Sequence, residues 1–213
     1  MIFEHTANTP GEAWRYALKQ FVGNGYVIGD SKRLDGVIVT EIKNPTDRVE
    51  NNSLYKQMFI DEYKKSFVMA NKGGFEYRYG ERLASYPDGD LQPYETVNQI
   101  EYIIRELKRD KNSRRALGIT WNPFVDTDKD DVPCLQIVKC VIFRGRLNME
   151  VVFRSHDMLK GYYPNVLGLS YLMDYIVNSL GGYTKGSLRV VSLSPHVYVD
   201  DRDHFRAVTG CKL

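Results

Sequence analysis

The order of apolar runs between residues 116 and 180 constrains the fold more than any other feature of this chain. Three β-rich runs, ALGITWN (116–122), CLQIVKCVIF (134–143) and RLNMEVVF (146–153), follow one another, and only Arg144-Gly145 separates the last two. A two-residue break of this kind predicts a tight hairpin. After Pro164 the period changes to that of a helix. Val166, Leu169, Met173, Ile176, Val177 and Leu180 make one broad apolar stripe, which Gly181-Gly182 stops. Strands that follow strands do not give the regular alternation of a doubly wound sheet, so the predicted class is α+β.

The remaining elements fit around that frame. Residues 11–22 place Trp14, Ala17, Leu18 and Phe21 on one helical face. GVIVTEI (36–42) has the β-branched content of a strand and follows the turn-rich GNGYVIGDSKR. Further helices are predicted over 54–69 and over 95–109, the latter from the spacing of Val97, Ile100, Ile104 and Leu107. DKNSRR (110–115) is a polar surface loop, and SLRVVSLS (187–194) a last strand ending just before His196. No repeat or linker divides the chain, so residues 1–213 are expected to form a single domain.

Several classes are excluded on composition. No apolar run approaches the roughly 20 residues of a bilayer span, and the N-terminus lacks the basic and apolar regions of a signal peptide. Three cysteines make no disulfide framework, so a cytoplasmic, reducing location is expected. A formal charge of +2 leaves any anion binding local, and neither DNA nor a membrane is an expected partner. Walker, GxGxxG, HExxH and CxxC patterns are absent, the four histidines are scattered, and no metal site is expected. Fifteen tyrosines and nine phenylalanines serve either core packing or the lining of a cleft for a flat heterocycle.

The candidate chemistry centres on Cys134. Pro133 puts it at the head of a strand rather than in mid-core, and both it and Arg154 lie about ten residues from the Arg144-Gly145 turn. The hairpin therefore brings Arg154 and Ser155 beside the thiol, and a guanidinium there favours the thiolate. Cys140 and Cys211 are expected to be buried small hydrophobes. Arg114-Arg115 are either solvated charge or part of a phosphate clamp, because guanidinium forks match phosphate oxygens. Asn165 suits a helix N-cap, and equally the adjacent carbonyl and N–H of a uracil edge. His196 and Tyr198, two residues apart, point the same way and can hold a sugar hydroxyl.

These segments in this order resemble the thymidylate synthase family. The likeness runs through YGERL (79–83), SRRALGITWNP (113–123), VPCLQ (132–136), FRSHDMLKGYYPN (153–165) and SPHVY (194–198), roughly the second two-thirds of the chain. The resemblance implies that Cys134 adds to C6 of a pyrimidine and makes C5 a nucleophile toward a one-carbon unit on a reduced pterin. It implies that Arg154 and Ser155 hold the 5′-phosphate of dUMP. Arg114 and Arg115 then reach that phosphate from the other subunit of a homodimer. Asn165 takes the uracil edge, and His196 and Tyr198 the sugar. Asp157, with Gly161, is on the pterin side, and Tyr79 stands near the proton leaving C5.

Departures from the common bacterial pattern are equally visible. Leu135 stands where histidine is usual, Lys139 where glutamine is usual, and Tyr163-Pro164 where Pro-Phe is usual. Glu62 is the candidate for the family's helical glutamate. Fifteen residues follow Tyr198, where the common pattern has a long segment closing over the folate. Short forms of this kind resemble archaeal thymidylate synthases, so the cosubstrate is expected to be methylene-tetrahydrofolate or methylene-tetrahydromethanopterin. Two other functions fit the same residues. One is a hydroxymethylase acting on dUMP, dCMP or CMP, in which water takes the methylene. The other is a non-catalytic nucleotide- or RNA-binding homologue, for which Cys134 has no use.

Overall fold

The computed structural model describes residues 1–51, 54–70, 77–86 and 96–213. In chain order the elements are β1 (Ile2–Ala7), α1 (Pro10–Lys19), β2 (Tyr26–Ile28), β3 (Ser31–Arg33) and β4 (Val37–Ile42). Then come α2 (Gln57–Tyr63), continued by a 3-10 turn over Lys64–Phe67, α3 (Tyr79–Ala84), α4 (Gln99–Arg109), β5 (Leu117–Ile119) and α5 (Pro123–Asp126). The last part holds β6 (Leu135–Phe143), β7 (Arg146–Phe153), β8 (His156–Asp157), α6 (Tyr162–Leu180), β9 (Thr184–Ser192), β10 (Pro195–Tyr198) and, after a 3-10 turn, α7 (Arg202–Thr209). The class is α+β, as the order of the runs predicts.

Six strands form one sheet in the order β1-β4-β9-β7-β6-β5, and four short ones form a second in the order β2-β3-β10-β8. The β6–β7 hairpin turns at Arg144 and Gly145, whose φ values of 49° and 77° are the two positive values a tight primed turn requires. β7 pairs with β9 in parallel and β1 with β4 in parallel, so α6 is the crossover that returns the chain from β7 to β9. α6 is buried on almost every side through its first three turns, from Tyr162 to Met173, and fills the core beneath the large sheet. Gly181 and Gly182, at φ 67° and 75°, end it.

Several predicted elements differ in extent. The helix assigned to 54–69 becomes α2 and a 3-10 turn, and the one assigned to 95–109 begins at Gln99. Residue 95 lies outside the described residues, while Val97 is 52% exposed and bridges to Tyr86 instead of joining the helical stripe. α6 begins before Pro164, which sits within its first turn, where a missing backbone N–H costs nothing. The turn-rich segment 23–33 supplies two strands, β2 and β3, of the small sheet.

The other face of the large sheet carries two rows in register. Val39, Val191, Val152, Ile137 and Ile119 form an apolar row across five strands. One step along, Glu41, Arg189, Glu150 and Lys139 alternate in sign, with ion pairs of 3.0, 3.1 and 3.1 Å. Ile119 is 37% exposed and the other row members are at least part-exposed.

Candidate active site

Cys134 and Arg154 face each other because the hairpin is irregular. From Phe143↔Arg146 to Ile137↔Val152 the pairing is regular, but the register then shifts to Leu135↔Phe153. Continued without that shift, the ladder would set Cys134 opposite Ser155. The bulge inserts Gln136 and advances the pairing by one, so the Arg154 backbone N–H donates to the Cys134 carbonyl at 2.9 Å. Opposed residues of an antiparallel pair project from the same side, and a one-residue slip reverses the side. The Arg154 guanidinium donates to the Pro133 carbonyl at 3.0 Å and the Val132 carbonyl at 2.7 Å, and lies 3.9 Å from Cys134 Sγ. It pins the turn that precedes the thiol.

The electrostatics of the thiol are mixed. Burial pushes the Cys134 thiol up; Arg154 and a hydrogen bond with the Tyr77 side chain offset part of that rise, and Asp131 and Asp157 add to it. The guanidinium thus acts in the expected direction, but desolvation is the larger effect in the free protein. Cys140 is fully buried mid-strand, its thiol raised to about 12 by desolvation, with Glu150 adding to the rise, which is the inert state expected of it.

Two clefts lie near the thiol. The first, about 190 Å³, is lined by Asp30, Ser31, Arg33, Ser155, Ser194, His196 and Tyr198. The second, about 440 Å³, is lined by Phe59, Glu62, Tyr63, Ser66, Tyr77, Arg78, Tyr79 and Asp131. Cys134 is tied to the aromatic cleft by the hydrogen bond between its thiol and Tyr77, and to the polar one through Arg154, which lies 3.9 Å from Sγ and precedes Ser155 of its lining. Burial holds the phenols of Tyr63, Tyr77, Tyr79 and Tyr198 in their protonated form well past neutrality. Tyr79 is hydrogen-bonded to the Leu135 backbone, next to the thiol.

The small sheet assembles the polar cleft. β10 lies between β3 and β8 and sets His196 beside Arg33 on one side and Asp157 on the other. His196 and Tyr198 share a side, as their spacing predicts, with ring centroids 5.3 Å apart at 87°. Asp157 is raised by burial, against the backbone N–H groups of Lys160 and Leu159 that its Oδ1 accepts. Gly161 lets α6 approach that turn closely: a Cβ there would lie 2.9 Å from the Asp157 carbonyl oxygen.

Asn165 is not an N-cap. Gly161 holds that position, and Asn165 is the fourth residue of α6, its own N–H bonded to the Gly161 carbonyl at 3.0 Å. Its buried amide instead joins a side-chain chain. Tyr63 Oη donates to Asn165 Oδ1 at 2.6 Å, Asn165 Nδ2 lies 3.2 Å from His156 Nε2, and His156 Nδ1 lies 2.8 Å from Ser192 Oγ. Desolvation lowers His156 to about 3, so the ring is neutral.

Three sequence candidates stand apart. Arg114 and Arg115 are exposed and line neither cleft of their own chain. Arg115 is paired with Glu106 at 3.1 Å. Glu62 is on the rim of the aromatic cleft, 75% exposed and paired with Lys65 at 2.7 Å. Arg33, Tyr63, Tyr77, His156 and Ser192 were not identifiable as site residues from local pattern. Arg33 lay in a segment without strand periodicity, and the others are joined to the site only by tertiary contacts.

Comparison with known proteins adds an independent line. The family model described as thymidylate synthase matches residues 25–209. A provisionally named thymidylate synthase of Methanosarcina barkeri (strain Fusaro) is 34% identical over 206 residues, covering 92% of this chain and 90% of the relative. Another from Methanocaldococcus jannaschii is 39% identical over 181 residues, covering 78% and 79%. A third, from Methanosarcina acetivorans, is 35% identical over 205 residues, covering 92% and 90%. With the family model matching residues 25–209 and relatives of 34–39% identity covering most of its length, this chain belongs to the thymidylate synthase family.

Proposed function

We propose that the protein is a homodimeric thymidylate synthase that converts dUMP to dTMP through a covalent bond between Cys134 Sγ and C6 of the pyrimidine. The observation that carries this reading is the pairing of the thiol with Arg154 and Tyr77, the latter lining the aromatic cleft, where Tyr63 also holds the Asn165 amide. Addition of the thiolate to C6 turns one difficult substitution at C5 into two easier steps. Arg154 supports the thiolate, and the Tyr77 hydroxyl donates to it. Ser155 and Arg33 serve the 5′-phosphate, since both line the polar cleft and a guanidinium suits phosphate oxygens. His196 and Tyr198 serve the sugar. Asn165 takes the C4 carbonyl and N3–H edge of uracil. Tyr79 stands near the proton lost from C5; kept protonated by burial, it orients a water that carries this proton away and does not take it itself.

A methylene-bearing reduced pterin, tetrahydrofolate- or tetrahydromethanopterin-based, supplies the carbon and the hydride. The stacked rings of Phe59 and Tyr63, with the tilted pair Tyr77 and Tyr79, offer flat apolar faces that fit such a heterocycle. Asp157, next to Gly161, and Glu62 on the rim are the carboxylates assigned to that side. The dimer is assigned to the open sheet face, whose apolar and alternating-charge rows give a self-complementary surface. Arg114 and Arg115 then serve the partner's phosphate, consistent with their lining neither cleft of their own chain.

The test is a product assay by mass spectrometry, with dUMP and each methylene-pterin in turn. A methylated nucleotide is expected from the wild type and none from Cys134→Ala, which should still bind dUMP. A hydroxymethylated product, or turnover by Cys134→Ala, would overturn the reading.

A further inference from the structure

We propose that His156, braced by Ser192, and the Tyr63 hydroxyl fix which way round the Asn165 amide sits, and that this relay, rather than the asparagine by itself, makes the site choose uracil over cytosine. The proposal rests on the nucleotide reading above. A primary amide presents an acceptor and a donor side by side, and a half-turn exchanges them. Uracil offers an N3–H and a C4 carbonyl; cytosine offers a bare N3 and a 4-amino group. One asparagine therefore pairs with uracil in one orientation and with cytosine in the other. Selectivity must come from whatever holds the amide.

In this chain the holders form a closed set. The Tyr63 hydroxyl donates to Oδ1 at 2.6 Å, and Nδ2 faces His156 Nε2 at 3.2 Å. An amide nitrogen only donates, so Nε2 must be bare, and the ring proton sits on Nδ1 and is donated to Ser192 Oγ at 2.8 Å. The reversed amide requires the opposite of every partner. Nε2 would have to carry the proton and donate to Oδ1, Ser192 would have to donate to Nδ1, and Tyr63 would have to accept from Nδ2. The members can only change together. The imidazole cannot satisfy both arrangements by taking a second proton, because burial keeps it neutral. Its plane is fixed by stacking on Phe153, with centroids 3.8 Å apart and planes at 12°. Tyr63, Asn165 and His156 lie on α2, α6 and β8, and Ser192 closes β9, so four elements of the fold converge to set one amide.

The test measures binding alone, without a carbon donor. Dissociation constants for dUMP and dCMP are measured by calorimetry on the full chain for the wild type, His156→Phe and Ser192→Ala. His156→Phe keeps a ring against Phe153 and removes both nitrogens. The wild type is expected to prefer dUMP, as a site built from paired polar groups should, and His156→Phe to lose about tenfold or more of that preference while still binding dUMP. Ser192→Ala should lose a smaller part. A dUMP-to-dCMP ratio unchanged in both variants would overturn the proposal. Nitrogen-15 NMR of the wild type reads the relay directly, whatever the variants do. His156 is expected as the Nδ1-protonated tautomer, and an Nε2-protonated ring would refute it. A wild type that binds neither nucleotide refutes the nucleotide reading and this proposal together, whereas dUMP binding with an unmoved ratio refutes the relay alone.

Discussion

Replacing Asp126 by asparagine should be among the most damaging isosteric changes in this molecule. Arg82 on α3 and Asp126 at the end of α5 are 1% and 0% exposed, and their side chains meet in a two-point contact of 3.0 and 2.8 Å. Asp126 Oδ2 also accepts the Asn122 backbone N–H at 2.8 Å, and Arg82 donates to the Thr120 carbonyl at 3.3 Å. Asparagine preserves the shape but removes the negative charge and turns an amide N–H toward the guanidinium. Breaking one side of a buried pair costs about 3–5 kcal/mol, because the guanidinium then loses its two-point partner and keeps the longer contact of 3.7 Å with the Glu81 carboxylate. For a chain of this size that is a fall in melting temperature of roughly 6–20 °C. Urea denaturation and a thermal melt measure both. The triple change Glu81→Gln, Arg82→Met and Asp126→Leu provides the control, since removing all three buried charges together should recover most of the loss. A loss below about 1 kcal/mol for Asp126→Asn, or a triple variant less stable than the single, would refute this account. The consequence reaches the site, because α3 begins at Tyr79 and Arg82 anchors it one turn later.

Other measurements test separate parts of the structure. His156, lowered to about 3 by burial from its ordinary 6.5, takes up a proton on unfolding between those values. Its contribution to stability is therefore complete above pH 6.5 and is lost as pH falls toward 3, at about 1.4 kcal/mol per unit. Urea titrations at pH 6.5 and pH 5 should show about 2 kcal/mol less acid loss in His156→Phe than in the wild type, and equal losses would contradict the buried neutral ring. Asn165→Asp should move base preference toward cytosine, and competition between dUMP and dCMP reads it; an unmoved preference removes Asn165 from base recognition. An equal mixture of Cys134→Ala with the double variant Arg114→Ala, Arg115→Ala should regain about a quarter of wild-type turnover, since half the dimers then hold one complete site. No recovery after subunit exchange would remove the shared arginines.

How much of this was legible in the sequence depended on whether a feature is local. The hairpin at Arg144-Gly145 and the apolar stripe of α6 depend on short-range patterns, and the structure has both. β1 went unseen because the inward positions of IFEHTA are Phe3, His5 and Ala7, only one of them strongly apolar, so its alternation is weak; what makes it a strand is parallel pairing with β4. The small sheet went unseen for the same reason. β2 is exposed along its whole length and β8 has two residues, so neither carries a period of its own. Asn165 shows the limit most sharply. A polar residue near a helix start fits capping, and only the positions of α2 and β8 show that its amide is engaged elsewhere.

The meeting of Cys134 with Arg154 joins these two kinds of information. Counting residues from the turn brings the two into the same neighbourhood, but an ideal ladder sets Cys134 opposite Ser155 and turns the thiol and the guanidinium to opposite sides of the sheet. The extra residue at Gln136 corrects this, and Gln136 is itself held, its side-chain amide donating to the Pro133 carbonyl at 2.6 Å. That carbonyl also accepts from Arg154 Nε. The bulge, the rigid proline and the guanidinium thus share one acceptor, which ties the irregularity of the strand to the direction of the thiol. The core depends on the same irregularity, since Leu135 and Val138, three apart and both buried, would face opposite sides of a regular strand. One shift thus serves core and site together: it turns Leu135 into the core and sets the Cys134 sulfur and the Arg154 guanidinium on the same side, as the proposed chemistry requires.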